Sequence, residues 1–283
     1  MQHYLSSTKT ASSRIRTAAK EQVKGIEMQF FMLSCFCFIE LNKLEVFKMK
    51  ILHLILILCV SFGALAGGNE SITSFSKAKK LLQKKVYHDH RETIYCAAEF
   101  DTKKNVIIPA GFTTSKHKKR AKRIEWEHVV PAENFGRTFS EWRKGHPSCV
   151  NKKGKSFKGR KCASKMSREY RLMQSDMYNL FPAIGAVNAM RSNYNFVARV
   201  DAKSGFGSCD MKIANRKAEP PIEARGRIAR TYLYMDATYK RYSMSKSQKQ
   251  LMNAWDRMYP ISAWECKRTK RIEMTQRSIN QLA

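Results

Sequence analysis

Ile124-Glu125-Trp126-Glu127-His128-Val129-Val130-Pro131 alternates apolar and polar side chains as far as His128, the period of a half-buried strand. Pro131 stops or turns that strand. Ala132 to Phe135 then opens a short helix, with Gly136 after it. Glu127 and His128 sit side by side at the strand's end. Neighbouring strand residues point to opposite faces, so the pair needs a bend to converge on one site, and Pro131 supplies a reason for one. A neutral imidazole takes a proton from water near pH 7. A carboxylate beside it holds a hard cation such as Mg²⁺. Together they suit metal-assisted attack of water on a phosphodiester. On spacing alone a Glu-His pair is not specific, so its setting decides its meaning.

That setting is basic. The 283 residues carry 53 Lys plus Arg against 23 Asp plus Glu, a net charge of +30. An apolar content of 43 % is enough for a real core and excludes a chain disordered by composition. One stretch alone approaches the length of a membrane span, which excludes a multi-span membrane protein. Charge of this size predicts a polyanionic partner: nucleic acid, an anionic membrane surface or an acidic glycan.

The apolar stretch reads as an export signal. Met49-Lys50 is followed by the apolar run 51–60, then by Ser61-Phe62-Gly63-Ala64-Leu65-Ala66. A basic start, a short apolar core and a small-x-small ending make a cleavable leader. The expected organisation is an upstream extension over 1–48 that arises from a misassigned start, a signal peptide over 49–66, and a single domain over 67–283. The chain from Gly67 keeps 45 basic and 19 acidic residues, a net +26, so the charge belongs to the domain. It also keeps Cys96, Cys149, Cys162, Cys209 and Cys266. In an exported protein these are mostly disulfides, and no C-x-x-C pair suggests zinc. Cys149 and Cys162 flank a short Lys/Gly-rich loop. Five is odd, so one thiol is free or pairs outside this chain.

Helical spacing of Ile72, Phe75, Ala78, Leu81, Leu82 and Val86 predicts a helix over 71–86. Residues 93–100 and 106–108 read as strands. The stretch 140–165 reads as a basic loop, and the basic side chains on 151–165 suit phosphate contact without base reading. Helices are expected over 167–175 and 183–190, a strand over 209–214, and helices over 222–239, 245–258 and 261–278. Met173, Met177, Met190 and Met235 read as core, Trp142, Trp255 and Trp264 as packing residues, and His88, His90 and His146 as surface. The fold class is α+β with a helix-rich C-terminal half.

The motif 125–132, followed by Phe135-Gly136, resembles the hallmark of the bacterial endonuclease I family. The resemblance continues through Ser175-Asp176-Met177-Tyr178-Asn179-Leu180, Val187-Asn188 with Arg191 and Asn193, Ala218-Glu219-Pro220-Pro221 with Ala224-Arg225-Gly226, and Trp264-Glu265-Cys266. It spans about 93 to 273. It implies a ββα-metal (His-Me finger) nuclease core. His128 then matches the general base, Glu127 and Asn188 the protein ligands of one Mg²⁺ or another divalent cation, and Arg160 the arginine that offsets charge on the phosphate. It also implies periplasmic or secreted location and a monomer without stable membrane insertion after signal cleavage. The implied substrate is double-stranded DNA, with RNA as a further one, held by non-specific phosphate contacts and cut to 5′-phosphate and 3′-hydroxyl ends.

The same resemblance implies the bridges Cys149–Cys162 and Cys96–Cys209. Ala98 and Ala110 stand where the family carries a further pair, and Cys266 lacks its usual later partner, which implies an unpaired thiol. Ala186 and Met190 replace acidic residues near Asn188. The alternative reading is a non-catalytic basic DNA-binding or uptake protein on the same fold. A cationic membrane-active or glycan-binding protein is a third, and it leaves the motif blocks unexplained.

Overall fold

The computed structural model describes residues 68–277. The expected leader and upstream extension lie outside the described residues. From Gly68 onward the chain is one compact unit.

The first helix, α1, covers Phe75–Leu81 and is capped by the Ser74 hydroxyl, which accepts from the Lys77 amide at 3.2 Å. It runs on through a π-helical turn, Leu82–Val86. A short α2, Lys118–Ala121, leads into β1, Ile124–His128. Four short helices follow: α3 (Ala132–Gly136), α4 (Ser140–Arg143), α5 (Arg160–Met166) and α6 (Arg168–Gln174). The basic stretch 140–165 is therefore not loop throughout, because a helix forms at each end of it.

The chain then returns as β2, Leu180–Ile184, antiparallel to β1 with Ile124 opposite Ile184 and His128 opposite Leu180. All five β2 residues are buried, so the strand shows no alternation that a period-two pattern would reveal. Pro182 also disguises it, since proline cannot donate to a ladder. The predicted helix over 183–190 accordingly starts late: α7 is Gly185–Arg191. Gly185 is required at that junction. A Cβ there would lie 2.6 Å from the Arg120 carbonyl oxygen and 3.0 Å from Glu125 Oε1. The α7 helix can thus start directly beneath β1, which places Asn188 beside the Glu125-Trp126-Glu127 edge.

A second small sheet has the order β3-β5-β4, from β3 (Asn195–Phe196), β4 (Lys212–Ala214) and β5 (Lys217–Glu219). Three longer helices close the domain: α8 (Ile222–Thr238), α9 (Lys246–Met258) and α10 (Ala263–Arg277). Gly226 lets the Tyr259 carbonyl approach α8, since a Cβ there would meet that oxygen at 2.7 Å. Arg230 locks the contact, with a two-pronged bond to Glu265 at 2.5 and 2.6 Å and a third to the Tyr259 carbonyl. Arg268 of α10 reaches the strand layer. It donates to the Met177 and Leu180 carbonyls and lies 3.7 Å above the Phe181 ring.

The strand expected over 93–100 does not form. Its ends make isolated bridges, Glu92 with Glu99 and Phe100 with Val106. Ala97 takes a positive φ of 47°, and the chain doubles back so that the Thr93 amide donates to the Ala98 carbonyl. Residues 106–108 likewise contribute one bridge, and the strand expected over 209–214 shrinks to β4. His90 is not a free surface residue: its ring stacks on Trp264 with centroids 4.0 Å apart. Met173, Met177 and Met235 are fully buried.

Disulfides join Cys96 to Cys209 and Cys149 to Cys162. Cys266 is disulfide-bonded too, which corrects the expectation of a free thiol. The 149–162 bridge ties the basic segment to α5 across 13 positions. Closing a loop of that size stabilises by about 3 kcal/mol through the unfolded chain. Changing both cysteines to serine is expected to lower the melting temperature by roughly 6–12 °C for a domain of this size, read by a thermal melt.

Candidate active site

One cleft of about 770 Å³ contains all four residues singled out from the sequence: Glu127, His128, Arg160 and Asn188. Three elements bring them together. β1 carries Glu127 and His128, the start of α5 carries Arg160, and α7 carries Asn188. Phe75 and Lys79 of α1 form a further wall.

Glu127 and His128 do project differently, as a strand requires, and the cleft touches both. Glu127 is 3 % exposed. Its Oε1 accepts from Tyr95 Oη and from Arg191 Nη1, each at 2.7 Å. Burial pushes its carboxyl up, and the Arg191 charge with the Tyr95 hydrogen bond pulls it back. Arg191 is fully buried, yet the Tyr95 and Glu127 oxygens more than offset its desolvation and hold it charged. The same guanidinium donates to the His128 carbonyl at 2.9 Å and the Val129 carbonyl at 2.6 Å, so it grips β1 at its end. Asn179 holds the next residue from both sides, accepting from the Val130 amide at 2.7 Å and donating to its carbonyl at 2.9 Å.

His128 is 7 % exposed, with its ring 5.0 Å from that of Phe75. Its Nε2 lies 2.9 Å from the Gln174 carbonyl oxygen. A carbonyl only accepts, so Nε2 carries the hydrogen and Nδ1 is the bare nitrogen of the neutral ring. Burial, followed by the Arg160 charge, pushes the imidazole down to about 3, so it is neutral at physiological pH. Lys79 is lowered as well, by burial and then by the neighbouring Lys104 and Arg160 charges. Lys79, Lys104 and Arg160 line the cleft together, and a phosphate entering it relieves the repulsion that lowers Lys79.

The donor atoms suit a hard cation. Glu127 Oε2 takes no hydrogen bond among the described residues. Asn188 donates through Nδ2 to Glu125 Oε2 at 2.7 Å, which leaves its side-chain oxygen Oδ1 without a hydrogen bond among them. Glu125 is itself fixed by a two-pronged contact with Arg120. One charged and one neutral oxygen lining a single cleft match the chemistry of Mg²⁺, which keeps several waters and uses few protein ligands. Arg160 has its guanidinium carbon 5.2 Å from the Phe75 ring centroid, which sets it beside His128.

Sequence reasoning did not assign Arg191, Tyr95, Gln174 or Lys79 to this site. Arg191 falls one helical turn after Asn188, and that spacing places the two on neighbouring faces of α7. For Tyr95 and the Gln174 carbonyl no local pattern exists, because their roles come from segments 32 and 46 positions from the residues they contact.

A domain of this kind, with a cation-walled cleft around a Glu-His pair at the end of a strand, is the frame of a phosphate-ester enzyme. The sequence pattern of the endonuclease I family matches residues 73–281, and the chain belongs to that family. It is an endonuclease, and its location is periplasmic or secreted. It is 39 % identical over 214 residues to an extracellular deoxyribonuclease of Aeromonas hydrophila, covering 73 % of this chain and 87 % of the relative. It is 38 % identical to a periplasmic deoxyribonuclease of the same organism, over 69 % of this chain and 79 % of that one. It is 36 % identical to Endonuclease-1 of Buchnera aphidicola subsp. Acyrthosiphon pisum (strain APS), over 72 % and 77 %. Among the described residues no helix is long and apolar enough to cross a membrane.

Proposed function

We propose that the protein is a metal-dependent endonuclease that hydrolyses DNA phosphodiesters without reading sequence. Its relatives' names as deoxyribonucleases support the substrate. The observation that carries the reading is the convergence of Glu127, His128, Arg160 and Asn188 on one cleft, with Nδ1 of a neutral His128 left bare. In this reading β1, β2 and α7 are the two strands and helix of a ββα-metal core.

His128 Nδ1 takes the proton of a water as its oxygen attacks phosphorus. The P–O bond to the 3′ oxygen breaks, that oxygen takes a proton from solvent water, and the products carry 5′-phosphate and 3′-hydroxyl ends. Arg160 offsets the charge that builds on the non-bridging oxygens. Arg191 and Tyr95 hold the Glu127 carboxylate so that Oε2 stays available. Glu127 and Asn188 would hold a single Mg²⁺, or another divalent cation, which supplies charge stabilisation at the phosphate. Contacts to phosphate alone accept RNA as well as DNA, and the protein acts as a monomer.

The test incubates purified, oxidised protein with supercoiled plasmid in Mg²⁺ or in EDTA. Nicking and degradation only with the metal are expected. Binding without cleavage across several divalent metals would instead favour a DNA-binding or uptake module. A second expected outcome concerns the ligands. Glu127→Gln and Asn188→Ala should each weaken Mg²⁺ binding by roughly tenfold or more, about 1.4 kcal/mol, in a calorimetric titration.

A further inference from the structure

The two-residue turn between β4 and β5 is Asn215-Arg216, with Ala214 paired to Lys217 across it. Both turn residues have positive φ, 48° and 59°. Two consecutive positive φ values are the pattern of a type I′ hairpin turn, whose second position is ordinarily glycine. An arginine there opposes the local backbone preference, and such outliers point to function rather than to packing. Arg216 does not pack. It is exposed and makes no hydrogen bond or ion pair among the described residues.

Its side chain lines a second cleft of about 470 Å³, together with Arg137, Tyr194, Asn195 and Gln248. Two arginines and no carboxylate line this cleft. Asn193 belongs to its wall and to the wall of the catalytic cleft, so the two adjoin. Arg137 is engaged by Glu133, whereas Arg216 is not engaged, and it is the cation the second cleft has to spare. The parallel pairing of β3 with β5 sets Asn195 opposite Lys217, directly after Arg216, which holds the turn at the cleft's edge.

We infer that the second cleft is an extension of the substrate site, in which Arg216 binds a backbone phosphate of the nucleic-acid strand beyond the scissile bond. The inference rests on the DNA-cleaving reading for the identity of the strand. The geometry supplies the direction: the strand leaves the catalytic cleft past Asn193 and passes Asn195, whose amide suits sugar and phosphate oxygens, and then Gln248, whose Nε2 also donates to the Phe196 carbonyl at 3.4 Å. The cost of a left-handed arginine is the trade for that contact.

Arg216→Gly separates binding from folding, because glycine suits the turn better than arginine does. The experiment compares the two proteins on a duplex of about 20 base pairs, with binding read by fluorescence anisotropy in EDTA and cleavage read in Mg²⁺. The variant is expected to melt at or above the wild-type temperature, to bind roughly three- to tenfold more weakly near 0.1 M salt, and to lose about one from the slope of log affinity against log salt. In cleavage, KM rises and kcat stays within about twofold. Arg216→Lys, which keeps the charge, is expected to recover most of the slope. Equal affinity and equal salt slope in the glycine variant would overturn the inference. Binding without cleavage by the wild type would remove the nuclease reading and leave the anisotropy arm to decide the second cleft.

Discussion

His128→Ala is expected to lower plasmid cleavage by roughly 10²–10⁴-fold while leaving duplex affinity near the wild-type value. The imidazole is the single group in the cleft that is neutral, bare at one nitrogen and fixed in one tautomer by a backbone carbonyl. Its removal takes away the proton acceptor. It leaves Lys79, Lys104 and Arg160, which supply the attraction for phosphate. Affinity and rate should therefore part company, with a lower kcat and a KM little changed. Full activity in this variant would end the general-base assignment. Equal losses of affinity and rate would show instead that the ring supports the cleft wall against Phe75, 5.0 Å away. A thermal melt of the same sample separates the two outcomes.

Arg191→Met is expected to cost about 3–5 kcal/mol of stability, the scale for removing one partner from a buried ion pair. Arg191 and Glu127 have side-chain exposures of 0 % and 4 %, so water cannot replace the lost contact. The same change frees the His128 and Val129 carbonyls, both held by this guanidinium. For a domain of this length the melting temperature should fall by roughly 10 °C. Cleavage should fall as well, measured below the variant's melting temperature, because Glu127 loses the partner that orients it. Arg191→Lys should rescue little. An ammonium keeps the charge and lacks the planar fork that spans Glu127 and two carbonyls. A variant as stable as the wild type would show that β1 does not depend on this arginine.

Much of the candidate site was legible in the sequence because its residues fall in local patterns. Glu127 and His128 are neighbours at the end of a strand whose period-two pattern runs as far as His128. Asn188 lies on a helix that follows an apolar run, and Arg160 opens another. The long helices α8 to α10 were legible too, since 13 to 17 residues carry enough periodicity to read. The basic balance announced a polyanionic partner before any fold was known.

What escaped had a common cause. β2 is buried on both faces and contains a proline, so no alternation marked it. Residues 93–100 have strand-like composition, yet the chain folds back on itself at Ala97. Tyr95, Arg191 and the Gln174 carbonyl became parts of the site only when β1 paired with β2 and α7 started at Gly185 without a side chain in the way. Sequence alone thus determined which residues stand as candidates for the chemistry and what sign of charge surrounds them. Tertiary structure alone decided which oxygen of Glu127 is spoken for, which nitrogen of His128 is bare, and which cations stand beside it. Those facts depend on hydrogen bonds between segments 32 to 64 positions apart, and no local pattern encodes them.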